Sequence, residues 1–165
     1  MTNLWHDIER KTPEEFNVVV EISRDSQVKY EIDKETGVIC FDRVMHSPVH
    51  YPGNYGFIPQ TLWEDGDAMD VIVICRHAIV PGCIVRCRPV GVLEMIDDGE
   101  SDAKVLAVAV NDHQTTHIKD ISDMEEFTLN EISHFFEVYK QLKKKEVKVG
   151  KWCDASQAKK DITKS

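Results

Sequence analysis

The order of hydrophobic periods constrains this 165-residue chain more than any other feature. From Asn17 to about Val110 the sequence is a succession of short β-branched or alternating runs, each cut by turn-forming residues. Val18–Ile22, Val28–Asp33, Val38–Asp42, Val71–Cys75, Ile84–Ile96 and Val105–Val110 read as strands. Asp33-Lys34-Glu35-Thr36-Gly37 reads as a hairpin turn, and Pro89 with Gly91 as a bend or bulge in the long run. Helical spacing begins only at Thr128-Leu129-Asn130-Glu131, a capping-box pattern with Thr128 as N-cap. Leu129, Ile132, Phe135, Phe136, Tyr139 and Leu142 then follow as one apolar stripe, with Lys143–Lys145 at its end. Glu146–Val149 suggests one more short strand, and Asp154 caps a last helix to about Ile162. Strands first and helices afterwards exclude an alternating βαβ chain and predict an α+β fold. The expected form is a small OB-like antiparallel β-barrel with helices packed outside, because closure removes exposed sheet edges.

No repeat, low-complexity tract or linker divides the sequence, so residues 1–165 are expected to form a single domain. A chain of this length hides roughly 70% of its unfolded surface and needs no disulfide or structural metal. The five cysteines are odd in number and lack zinc-ligand spacing, which predicts buried reduced thiols. The N-terminus lacks a basic start and an apolar stretch, and no run is long enough to span a bilayer, so a cytoplasmic location is expected. Twenty Lys and Arg against 29 Asp and Glu give 20 − 29 = −9. That charge argues against nucleic acid and membrane surfaces as partners and favours divalent cations.

The chemistry concentrates in turns beside strands. Asp65-Gly66-Asp67-Ala68-Met69-Asp70 places three carboxylates in six residues, which repel one another unless cations lie between them. A calcium loop of the EF-hand type fails, since Met69, Asp70 and Arg76 occupy positions five, six and twelve. Asp97-Asp98-Gly99-Glu100-Ser101-Asp102-Ala103-Lys104 is a second acidic turn. Lys29 and Glu31 share a strand face, Arg43 ends the next strand, and Tyr51 and Tyr55 flank Pro52-Gly53-Asn54. Oxygen-rich loops beside Lys, Arg and Tyr donors describe a phosphate-handling site that uses magnesium. Nucleotide-hydrolysing alternatives lose support because neither a Nudix box nor a Walker loop is present. A nucleic-acid-binding barrel would need a basic face, which the charge balance opposes.

These motifs resemble the soluble family I inorganic pyrophosphatases of prokaryotic type, from about Val18 to Trp152. The resemblance rests on Lys29-Tyr30-Glu31, Asp42-Arg43, Tyr51-Pro52-x-Asn54-Tyr55-Gly56, Asp65-Gly66-Asp67-x-x-Asp70, Asp102-x-Lys104 and His134-Phe135-Phe136-x-x-Tyr139-Lys140. It implies hydrolysis of inorganic pyrophosphate to two phosphates, with several Mg²⁺ ions activating a bridging water. It implies metal ligands at Glu21, Glu31, Asp65, Asp70, Asp97 and Asp102, and phosphate contacts from Lys29, Arg43, Tyr55, Lys104, Tyr139 and Lys140. Asp67 is implied as the acceptor of the water's proton, with Asp102 the second candidate. It also implies a homohexamer, with His134 and Phe135 on the interface helix. The pattern departs at Ala68, usually Pro, at Val138, often a second histidine, and at Ser23, usually Pro.

Overall fold

The computed structural model describes residues 2–165, and nine strands and two α-helices lie among them. The strands are β1 (Phe16–Ile22), β2 (Val28–Ile32), β3 (Ile39–Val44), β4 (Asn54–Phe57), β5 (Asp70–Ile74), β6 (Ile84–Asp97), β7 (Glu100–Ser101), β8 (Lys104–Ala109) and β9 (Val147–Asp154). The helices are α1 (Glu126–Val138) and α2 (Ala155–Lys164). The chain is thus mixed α+β, mostly sheet, as its periods predict.

Seven strands pair in the order β1-β4-β5-β8-β6-β7, with β9 added to β6. β6 also pairs with β1, so the ring of hydrogen-bonded neighbours β1-β4-β5-β8-β6 returns to its start. Its 14 residues serve four neighbours because Pro89–Gly91 shifts the register against β8, and Leu93–Met95 shifts it against β9. One pairing departs from the antiparallel expectation. β5 and β8 run parallel, Asp70 facing Lys104 and Ile74 facing Val108. The excursion through β6 and β7 is the crossover that parallel neighbours require. Both strands are continuous apolar runs buried on both faces, the pattern of parallel pairs.

Alternation sorts those strands into two apolar clusters. Val71, Val73, Val105 and Ala107 meet Phe16, Val18 and Ile162 of α2. Ile72, Leu106 and Val108 face the other way, toward Ile132 and Phe136 of α1. Gly56 lets β4 lie against β1, since a Cβ there would stand 2.0 Å from the Val19 carbonyl oxygen. β2 and β3 form a separate two-stranded sheet.

Three sequence expectations change at the C-terminal side. α1 begins at Glu126, so Thr128 lies inside it and Glu125 is the N-cap residue. Asp123 accepts the amides of Lys119 (2.8 Å) and Asp120 (3.0 Å), closing a 3-10 turn that delivers the chain into the helix early. Glu125 and Glu126 suit the positive end of the helix dipole. Leu142 falls beyond the helix and is exposed, because Val138 ends α1 and a second 3-10 turn follows. The last strand is longer than foreseen, reaching Asp154, whose carboxylate caps α2 through the Gln157 amide at 2.8 Å. Among the cysteines only Cys87 is buried, whereas Cys40 and Cys83 are exposed.

Candidate active site

A cavity of about 490 Å³ opens between the β2–β3 hairpin, the loop before β5, the turn between β6 and β8, and the end of α1. Of the residues expected to hold metal, contact phosphate or accept the proton, all but Arg43 line it. Arg43 stands across the hairpin from Lys29 and pairs with Asp42. Trp5, Lys34, Tyr51, Asp98 and Glu100 line it as well and were not foreseen as site residues. Tyr51 and Glu100 sat inside quoted motifs, but Trp5 carried no signal because its position depends on long-range packing.

The loop from Asp65 to Asp70 is shaped by its own backbone. Trp63 donates its amide to the Asp67 carbonyl at 2.7 Å, and the Asp67 amide donates to Asp65 Oδ1 at 3.0 Å. Gly66 takes φ +82°, which an L side chain would strain. Thr61 anchors the exit by accepting the Met69 amide at 2.9 Å. Asp70 then starts β5, so its carboxylate enters the cavity from a strand end.

Directly across the parallel pair, the buried Lys104 ammonium bonds Asp70 Oδ2 at 2.6 Å and also bonds Asp102. Burial works against the Lys104 charge, but the two carboxylates outweigh it and hold the amine protonated. One ammonium shared between two acids does not compensate both. Burial, opposed by Lys104 and reinforced by Asp70, pushes Asp102 up to about 7. Glu21 accepts the Ile32 amide at 2.8 Å, yet burial and the nearby Asp70 push it up to about 8. Tyr55 and Tyr139 are both pushed above their usual range by burial, then by neighbouring aspartates, so their hydroxyls stay neutral.

Two further cation–carboxylate groups complete the walls. Lys29 pairs with Glu31 and, at 3.3 Å, with Asp42; burial, then Arg43, lowers its pKa. Lys140 bonds Asp97 Oδ2, while Asp97 Oδ1 is buried without a partner among the described residues.

The donor set suits a hard divalent cation. It is oxygen-only, burial and then neighbouring carboxylate charge raise Glu21 and Asp102, and among the described residues one buried Asp97 oxygen has no partner. Among the described residues no three such side chains already converge on a single ion position. The lysine ammoniums hold the carboxylates instead. Magnesium tolerates this spacing because it keeps several waters and takes few protein ligands.

Known proteins resemble this chain along most of its length. The inorganic pyrophosphatase family model matches residues 18–165. A soluble inorganic pyrophosphatase of Oryza sativa subsp. indica is 51% identical over 93% of this chain and 73% of its own length. Soluble inorganic pyrophosphatase 1 of Arabidopsis thaliana is 48% identical over 93% and 74%. The crystal structure of the Thermus thermophilus inorganic pyrophosphatase superposes with a TM-score of 0.93 and 43% identity, covering 98% of this chain and 95% of that one. The Helicobacter pylori enzyme gives 0.90 and 42%, with 95% of each chain covered. By its matched length and its fold, the chain belongs to the inorganic pyrophosphatases, a family of phosphoanhydride hydrolases.

Proposed function

We propose that this chain hydrolyses inorganic pyrophosphate to two phosphates with magnesium as cofactor. The observation that carries the reading is one cavity lined by both a carboxylate cluster and Lys29, Lys104 and Lys140. A small dianionic-to-tetraanionic substrate needs both, metals for its oxygens and fixed cations for the rest of its charge. Glu21, Glu31, Asp65, Asp70, Asp97 and Asp102 are the residues that would hold the metals. Several magnesium ions, when bound, supply charge neutralisation at phosphate oxygens and acidify a water between them.

The protein's own groups divide the remaining work. Lys29, Lys104 and Lys140 bind phosphate oxygens as ammoniums, with Arg43 extending the grip from the hairpin. Tyr55 and Tyr139, kept neutral, donate hydroxyl hydrogens that orient the substrate. Asp67 accepts the proton of the attacking water as its oxygen bonds to phosphorus and the bridging P–O bond breaks. Its carboxylate is half exposed and keeps one oxygen free of the Lys34 contact, whereas that of Asp102 is nearly buried against Lys104, which supports this role over that of Asp102.

The same reading covers architecture and assembly. A pairing ring of five strands with one parallel pair supports the OB-like barrel formed by residues 1–165 as one unit. No helix among the described residues is long and apolar enough to cross a membrane. A homohexamer remains the expected assembly, with the outer face of α1 as one contact. His134 and Phe127 are exposed there, but Phe135 is buried against Tyr51 and Tyr139 and cannot serve the interface. Light scattering at micromolar protein tests this, and a monomer refutes it.

The activity test is phosphate release from pyrophosphate and from ATP, with Mg²⁺ or with chelator. Rapid magnesium-dependent release from pyrophosphate alone is expected. Equal turnover of ATP, or full activity in chelator, refutes the proposal.

A further inference from the structure

We propose that Lys34, in the turn of the β2–β3 hairpin, is a positioning residue that holds the Asp67 carboxylate in its working orientation. The inference rests on the reading of Asp67 as proton acceptor.

Asp67 has a fixed backbone and a loose side chain. Its amide and carbonyl are bonded to Asp65 and Trp63, yet its carboxylate is 56% exposed. Among the described residues, the only partner of its carboxylate is the Lys34 ammonium, which meets Oδ1. Held at one oxygen, the carboxylate keeps the other available to a water. Without that contact, solvent alone would set its rotamer, and a proton acceptor must lie within hydrogen-bond reach of the proton it takes.

A flexible lysine positions another group only if the lysine is itself held. Its backbone end is fixed, because the Asp33 carboxylate accepts the Thr36 amide and hydroxyl at 2.7 Å each. The Asp33 amide also reaches the Val38 carbonyl at 2.8 Å. Its ammonium lies 5.8 Å from the centroid of the Trp5 ring, within cation–π range, and approaches the Gly66 carbonyl at 3.4 Å. Trp5 is a firm platform. Its indole N–H donates to the Thr61 carbonyl at 2.9 Å, and its ring packs on Val19, Phe57 and Ala68. Thr61 is the residue that also anchors the Met69 amide, so platform and carboxylate loop share one support.

The consequence is mechanical rather than energetic. Two half-exposed charges contribute little to stability. The contact nevertheless joins the hairpin, which is a separate sheet, to the loop that carries Asp67. Residue Trp5 lies outside the stretch matched by the family model, so this support is built from the chain's N-terminal segment.

A double-mutant cycle tests the role. Lys34→Met should lower kcat roughly tenfold, the scale of a misplaced reacting group, with KM for pyrophosphate within about twofold. Lys34→Arg should restore most of the loss. In an Asp67→Asn background, Lys34→Met should cost nothing further. Side-chain NMR couplings of Asp67 in the metal-free protein give a second readout, with a single rotamer in the wild type and averaged rotamers in Lys34→Met. If Asp67→Asn alone keeps full turnover, the proton-acceptor reading fails and the positioning role falls with it. If Asp67→Asn is slow but Lys34→Met costs as much there as in the wild type, only the positioning role is overturned. Unchanged Asp67 rotamer populations in Lys34→Met also overturn it.

Discussion

Lys104 and Asp70 are register partners in the parallel pair of β5 and β8, and the ammonium of one meets the carboxylate of the other at 2.6 Å. Parallel pairing is what brings the starts of two strands, distant in sequence, to the same end of the sheet. The most buried cation of the site therefore faces its carboxylates because of strand direction.

Removing that cation should be costly before any catalysis is considered. Lys104→Met leaves Asp70 and Asp102 without their shared partner in a site where Lys104 is 2% exposed. Loss of about 3–5 kcal/mol is expected from breaking a buried pair on one side. Urea unfolding of the metal-free variant measures it, and an unchanged midpoint would refute the assigned pairing.

Asp67 and Asp102 should separate by metal titration. Asp67→Asn is expected to lower kcat by roughly 10²–10⁴, the range for a lost general base, while magnesium affinity changes little. Asp102→Asn should weaken magnesium binding, and excess metal should recover part of the rate. Full rescue of Asp67→Asn by magnesium, with none for Asp102→Asn, would reverse the two roles.

Acid stability should depend on two exposed turns, one of them the hairpin turn beside the cavity. Asp33 is held below its ordinary range by the Thr36 hydroxyl and amide, and Asp123 by the amides of Lys119 and Asp120. A depressed carboxylate stabilises the fold above its unfolded pKa, near 3.8 to 3.9, and that contribution disappears as pH falls through the lower folded value. Replacing both with Asn should flatten the decline of melting temperature below about pH 4. A steep decline retained in the double variant would show that other groups dominate.

Gly56→Ala should destabilise the sheet by at least 1–3 kcal/mol, the usual range for overpacking. The new Cβ would meet backbone rather than a movable side chain, at 2.0 Å from the Val19 carbonyl oxygen. Chemical denaturation gives the value directly, and a neutral result would contradict the close approach of β4 to β1.

Much of this was legible in the sequence wherever local pattern decides. The acidic loops, the lysines beside them and both helices announce themselves through spacing and residue type. The early start of α1 was missed because it depends on Asp123 gathering backbone amides, which competes with the Thr128 pattern. The parallel pair was missed because strand direction follows from a long excursion that no local period records. Trp5 and Lys34 were missed as site residues for a similar reason, their meeting being set by tertiary contacts.

The separation of the β2–β3 hairpin from the main sheet has a thermodynamic consequence of its own. An isolated pair of strands is marginal in water, whereas β5 and β8 sit in the centre of a paired, doubly buried ring. Lys29, Glu31 and Arg43 thus belong to a cooperative unit that opens at lower free energy than the unit holding Asp70 and Lys104. Hydrogen exchange should find the hairpin amides released by local opening while those of β5 and β8 wait for global unfolding. The hairpin and the central strands are accordingly governed by two different equilibria, and temperature or denaturant will loosen the first before the second.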